Sequence, residues 1–252
     1  MFFIKKSEIV LDCFTDLPFV YDYAKVNHAI KFLPEWWKET PKIESNIATI
    51  KNCQGIIDFY KKGFIIPSWF SLNLTVKALD ECGNGEQWTW TSSNKEVQLD
   101  YHQSNQFFRF SEDDSSNLKF ESPWFFRTKD EALFTMTQPT WNHRNWLSNF
   151  ITLPGILNFK TQHATNINFL VINGQTEKHI LIEPLTPLVI LHPLTDKKVV
   201  IKTHLVDKKE LERITGIEKF LPSVSPQESI DKRLNRKKFI NKFNTINQCP
   251  FK

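Results

Sequence analysis

From about residue 65 to residue 206 the chain is a series of short apolar runs broken by proline and polar residues. This spacing limits the fold more than any other feature of the sequence. Gln87-Trp88-Thr89-Trp90-Thr91 alternates with period two, the pattern of a half-buried strand. Similar runs lie at Gln106 to Phe110, Leu118 to Arg127 and Ala132 to Thr137. Asn166 to Ile172 and His179 to Ile182 are the clearest, and Asn173-Gly174 between them predicts a hairpin with a loop longer than two residues. Leu188 to Leu191 and Lys198 to Ile201 continue the series. Pro184, Pro187 and Pro193 belong at strand ends or edges, since proline cannot donate to a ladder. Many short strands at this spacing predict an antiparallel β-sandwich, or a partly closed barrel of jelly-roll, cupin-like type.

The two ends read differently, which makes the class α+β, mainly β. Val20 to Lys31 predicts a short helix ending before Pro34. Asn52 to Lys62 predicts a better one: Ile56, Ile57, Phe59 and Tyr60 give an apolar face, Lys61 and Lys62 suit the C-terminal dipole, and Gly63 suits the C′ position. Phe64 to Pro67 then leaves it as an extended segment. Asp207-Lys208-Lys209-Glu210 is a capping-box-like start, and Ser225-Pro226 followed by Glu228 begins a last helix over about 226–245. The expected division is one β-rich domain, 1–206, with an N-terminal helical segment, and a helical extension, 207–252.

Charge is concentrated at that end. The last helix carries Lys232, Arg233, Arg236, Lys237, Lys238 and Lys242 against two acids, an excess equal to the +4 of the whole chain. Such a helix fits phosphate contacts and salt-sensitive nucleic-acid binding. Its Ile230, Leu234, Phe239, Ile240 and Phe243 equally fit docking on a protein surface, and a basic apolar helix can also lie on a membrane surface. No window approaches 18 uninterrupted apolar residues, so no membrane span is expected. The start, Met1 to Lys6, lacks the order of a signal peptide, and Cys13, Cys53, Cys82 and Cys249 form no Cys-x-x-Cys pair. Both features read as a cytoplasmic protein with free thiols.

Catalytic signatures are sparse. There is no phosphate loop, no Gly-x-Ser-x-Gly elbow, and Gly83-Asn84-Gly85 is a turn. Glu112-Asp113-Asp114 lacks the spaced oxygens and glycine of a calcium loop and reads as a solvated run. An iron site in a small β-barrel commonly uses His-x-Asp/Glu with a distant His, and no histidine here has an acid two residues later. His163, His179 and His192 fall among the strands and form the one candidate set for iron or another divalent metal; as isolated histidines they are surface or hydrogen-bonded core residues.

Phe32-Leu33-Pro34-Glu35-Trp36-Trp37, Thr49-Ile50-Lys51-Asn52-Cys53-Gln54-Gly55-Ile56-Ile57-Asp58-Phe59, Gly63-Phe64-Ile65-Ile66-Pro67-Ser68-Trp69 and Ser122-Pro123-Trp124-Phe125-Phe126 are aromatic-proline motifs. Over residues 25–205 they resemble a family of uncharacterised proteins of marine tailed bacteriophages, cyanophages among them. The abundance of lysine over arginine, with much isoleucine, asparagine and phenylalanine, suits an AT-rich source. The resemblance implies no established activity and carries over no catalytic residue. It implies a host-cytoplasmic or virion location.

These readings converge on a non-enzymatic accessory protein that binds a partner or takes part in an assembly, without a cofactor. A cupin-like metal-dependent enzyme of oxygenase type is the alternative, and nucleic-acid binding through the basic helix is the third reading. Trp36, Trp37, Trp69 and Trp124 are the candidate ligand or partner residues, with indole N–H groups as polar handles. Adjacent residues point in different directions, so one ring of the Trp36-Trp37 pair is expected in the core and the other over a neighbouring surface.

Overall fold

The structure is a computed structural model, and it describes residues 8–76, 88–92, 99–101, 115–142, 150–172 and 178–215. The chain forms two compact units, Met1–Leu211 and Glu212–Lys252. All of the described strands belong to the first unit. The helix expected over 226–245 lies outside the described residues.

The N-terminal part runs β1 (Ile9–Thr15), α1 (Pro18–Tyr23), β2 (Asn27–His28), a 3-10 turn (Ala29–Phe32), α2 (Glu35–Glu39), β3 (Ile43–Glu44), β4 (Ile47–Ala48), α3 (Gln54–Lys62) and β5 (Phe64–Pro67). Strands then dominate: β6 (Leu72–Val76), β7 (Trp88–Ser92), β8 (Leu99–Tyr101), β9 (Ser115–Arg127) and β10 (Leu133–Thr137). A 3-10 turn (Thr140–Asn142) precedes β11 (Phe150–Thr152), β12 (Gly155–Asn158), β13 (Ala164–Ile172), β14 (Lys178–Ile182), β15 (Pro187–Pro193) and β16 (Val199–Leu205). Helix α4 (Lys208–Thr215) begins as the capping pattern requires, with the Asp207 carboxylate accepting from the Glu210 N–H at 2.7 Å.

The fold is mainly β, with several sheets and few helices. One sheet has the order β11-β13-β9-β1-β16, with β8 also on β9; a second has β12-β10-β15-β5-β2; a third has β14-β6-β7. No barrel closes among the described residues. The third sheet continues the second: the Ser68 N–H donates to the Thr186 C=O at 2.7 Å and the Leu185 N–H to the Ser68 C=O at 2.8 Å, so pairing passes from β5/β15 into β6/β14. Alternate residues of all three sheets meet in one apolar cluster. Leu11, Phe120, Trp124, Phe126 and Phe169 come from the first sheet, Phe64, Phe134 and Leu191 from the second, and Leu74 and Ile180 from the third.

Three expectations need correcting. The two apolar runs expected to form a hairpin do not pair with each other: β13 pairs with β9 and β11 while β14 pairs with β6, and Asn173-Gly174 lies outside the described residues. Ile167, Phe169 and Val171 enter the core from one sheet and Ile180 and Ile182 from another, so the two apolar runs serve the same core from different sheets. The sheets are not wholly antiparallel, since β1 pairs with β16 in parallel along seven residues. The N-terminal region carries the expected helical pieces α1, α2 and α3, preceded by strand β1, whose Ile9, Leu11, Cys13 and Thr15 are buried in alternation. The helix expected over Val20 to Lys31 stops at Tyr23. The Ala24 C=O accepts from the buried Trp124 indole N–H at 3.0 Å, and Asn27–His28 becomes an edge strand on β5. Tertiary partners for the backbone outweigh local helix propensity there.

Candidate functional site

Successive residues of a strand face opposite ways, and β5 and β15 use both faces. Phe64, Ile66, Val189 and Leu191 point into the main cluster. Ile65 and Ile190 point out and found a second cluster with Ala29, Trp37, Ile56 and Tyr60. Ile56 and Tyr60 are one helical turn apart on α3, which lays that face of the helix on the sheet. The second sheet therefore carries a helical layer on its outer side.

Trp36 and Trp37 lie within α2, with centroids 5.7 Å apart and rings at 79°. Trp37 is buried and meets Tyr60 at 6.1 Å. Trp36 is half-buried and covers the cluster from outside. The pair thus divides as the sequence suggested, one ring in and one over.

Polar contacts fasten a third piece to this layer. The Trp36 indole N–H donates to the Trp141 C=O at 3.1 Å. The Tyr60 hydroxyl donates to Asn142 Oδ1 at 3.2 Å, and the Asn142 amide donates to the Phe32 C=O at 2.5 Å. Burial pushes the Tyr60 phenol well above its ordinary pKa, so it remains a protonated donor. The 3-10 turn Thr140–Asn142 is tied to the helical layer at three points.

Between these pieces lies a cleft of about 440 Å³, within the size range of ligand sites. Phe32, Leu33, Pro34, Trp36, Leu185 and Pro187 give it apolar walls, and Asn142, Glu35 and Lys38 add polar groups. Glu35 and Lys38 pair at 2.9 Å with both side chains largely exposed.

At the outer cluster, Gly63 is a tight point. A Cβ there would stand 2.6 Å from Ile190 Cδ1, 2.8 Å from His192 Nε2 and 2.8 Å from the Phe59 C=O. Its φ of −81° is ordinary, so close packing demands the glycine rather than a left-handed backbone. His192 donates from Nε2 to the Phe59 C=O at 2.9 Å, and burial lowers its pKa, which holds the ring neutral.

The four candidate tryptophans do not form one assembly. Trp69 and Trp124 belong to the main cluster, and Trp37 is buried in the second. Trp36 alone of the four lines the cleft. Its N–H and that of Trp124 are already engaged within the protein, so neither serves as a polar handle for a ligand.

The three candidate histidines are not brought together. His163 Nδ1 bonds the Phe126 C=O at 2.9 Å, His179 Nδ1 bonds the Thr75 hydroxyl at 3.1 Å on β14, and His192 lies on β15. Among the described residues no group of three or more His, Cys, Asp or Glu side chains is placed to hold a metal ion. Among them too, no helix is long and apolar enough to cross a membrane. Lys232, Arg233, Arg236, Lys237, Lys238 and Lys242 lie outside the described residues.

Sequence reasoning missed Phe32, Leu33, Asn142, Leu185 and Pro187 as neighbours. Phe32-Leu33-Pro34 adjoins the tryptophan pair and was within reach; Asn142 and Leu185 join only through the fold. No protein-family model and no curated protein matches the chain.

Proposed function

We propose that the chain is a binding or assembly protein of the phage accessory type, working in the host cytoplasm or the virion, and that the cleft beside Trp36 takes an extended segment of a partner protein. Its stacked sheets act as a jelly-roll-like scaffold for that site. The observation that carries this reading is the aromatic and proline-lined cleft of about 440 Å³ on a layer fixed by named hydrogen bonds. Grooves walled by aromatic rings suit proline-bearing extended peptides, whose ordering cost is already small. The lip favours a peptide over an anionic ligand. An exposed ion pair such as Glu35–Lys38 is worth only about 0.2–1 kcal/mol, so it opens readily to charges of a partner. A peptide offers both signs; a phosphate group would meet the Glu35 carboxylate.

The test is selection from a random, bead-displayed dodecapeptide library on the full chain and, in parallel, on Trp36→Ala and Lys38→Glu variants. Peptides rich in proline or leucine with mixed charge should enrich on the natural sequence and bind Trp36→Ala at least about tenfold more weakly. Lys38→Glu, an exposed change that leaves folding intact, should move the selected peptides from acidic towards basic flanks. Equal enrichment on all three proteins would sink the reading.

A further inference from the structure

Three non-glycine residues among those described have positive φ: Ser45 at 50°, Asn46 at 65° and Leu185 at 64°. Ser45 and Asn46 are the two central residues of the turn joining β3 and β4, where a tight hairpin requires that conformation. Leu185 has no such explanation. Glu183 to Thr186 form a turn closed by the Thr186 N–H donating to the Glu183 C=O at 3.2 Å. Pro184 is second and Leu185 third, the arrangement of a type II turn, whose third position favours glycine.

The turn cannot relax around the leucine. The Leu185 N–H is held by the Ser68 C=O, and the Thr186 C=O by the Ser68 N–H, with Ser68 fully buried. Core packing does not account for the side chain either, because Leu185 is 50% exposed. It lines the cleft that Trp36 and Phe32 line. A strained, exposed, apolar residue at a cleft is an observation that points towards function.

We infer that Leu185 is a ligand-contact residue, kept in a strained turn because its isobutyl group forms the wall against which an apolar side chain of the partner segment packs. This rests on the role of the cleft proposed above. Glycine would relieve the turn and remove the wall, so stability and binding call for different residues at this position.

Leu185→Gly, Leu185→Ala and Leu185→Met separate the two demands, with the peptides enriched on the natural sequence as the probe in fluorescence polarisation. Gly and Ala should weaken binding at least about tenfold, the scale of truncating an apolar anchor, and Met should stay within about threefold. In thermal melts Leu185→Gly should unfold at a higher temperature than Leu185→Ala, the reverse of the usual order, because alanine retains the strain. Natural-strength binding by the Gly and Ala variants overturns the inference. If Trp36→Ala still loses binding in that case, the cleft reading stands without Leu185; if Trp36→Ala also binds fully, both fall. Leu185→Gly melting below Leu185→Ala removes the strain argument and overturns the inference from the other side.

Discussion

The two apolar clusters of the β-rich unit are built on different terms. The main cluster draws on three sheets and encloses rings such as Trp124, Phe126, Phe134 and Phe159 completely. Rings there meet rings: Phe126 and Phe159 stack at 4.8 Å, and Phe120 and Phe169 meet edge-on at 5.1 Å. Among the described residues the outer cluster has six buried members, and partly exposed rings cover it. Its pieces are held by a few specific bonds, from Trp36, Tyr60 and Asn142. The first arrangement closes over its rings; the second borders a cleft. Packing that is satisfied from every direction gives stability, and packing completed on one side gives a surface that another molecule can finish.

Substitutions in the two clusters should therefore differ in size and kind. Trp124→Ala should have the largest effect, about 3–5 kcal/mol by urea denaturation, since it empties a fully buried site. It also strips the Ala24 C=O of its partner. A loss below about 1 kcal/mol would mean that the main cluster is not the stable part of the fold. Gly63→Ala should cost about 1–3 kcal/mol by overpacking between Ile190, His192 and the Phe59 carbonyl. Hydrogen exchange should show that loss first in α3, with β9 and β13 still protected; uniform loss of protection would join the two regions into one cooperative unit.

The smallest effect is a pH dependence. His192 and His28 both have pKa values lowered in the folded protein, each by burial first, with Lys31 and Lys198 adding to the shift at His28. A histidine with a lowered folded pKa costs nothing while both states are neutral. The cost enters as pH falls below the ordinary value of 6.5 and is complete below the folded values. The urea midpoint should hold steady above that pH and decline towards pH ~5. His192→Gln, which keeps a donor for the Phe59 carbonyl, should flatten part of the decline; an unchanged slope would assign the whole dependence elsewhere.

Legibility followed the range of the interaction. The runs that became β9, β10 and β13 were readable because alternation records which face is buried, and those that became β15 and β16 because short apolar runs bounded by proline or polar residues mark buried strands. Helix α3 was readable from its apolar face and its C-terminal lysines. Strand β1 also alternates, but its partners β9 and β16 lie more than a hundred residues away, and its neighbourhood suggested helix. The hairpin expectation failed because Asn-Gly reports a turn and cannot report which sheet the next strand joins. At the site, Trp36 and Trp37 were visible as a pair, and their division into inner and outer rings followed from adjacency alone. Asn142 and Leu185 were not visible, since nothing beside them in the chain marks them out.

By itself the sequence determined a mainly β protein with an N-terminal helical segment, because strand and helix periodicities are local properties of side-chain burial. The tertiary structure decided which strands share a sheet and that Trp69 and Trp124 are core. It also decided that Trp36 stands beside Leu185 at a cleft. Those outcomes depend on backbone groups and side chains far apart in the chain finding one another, and no local pattern encodes the partner.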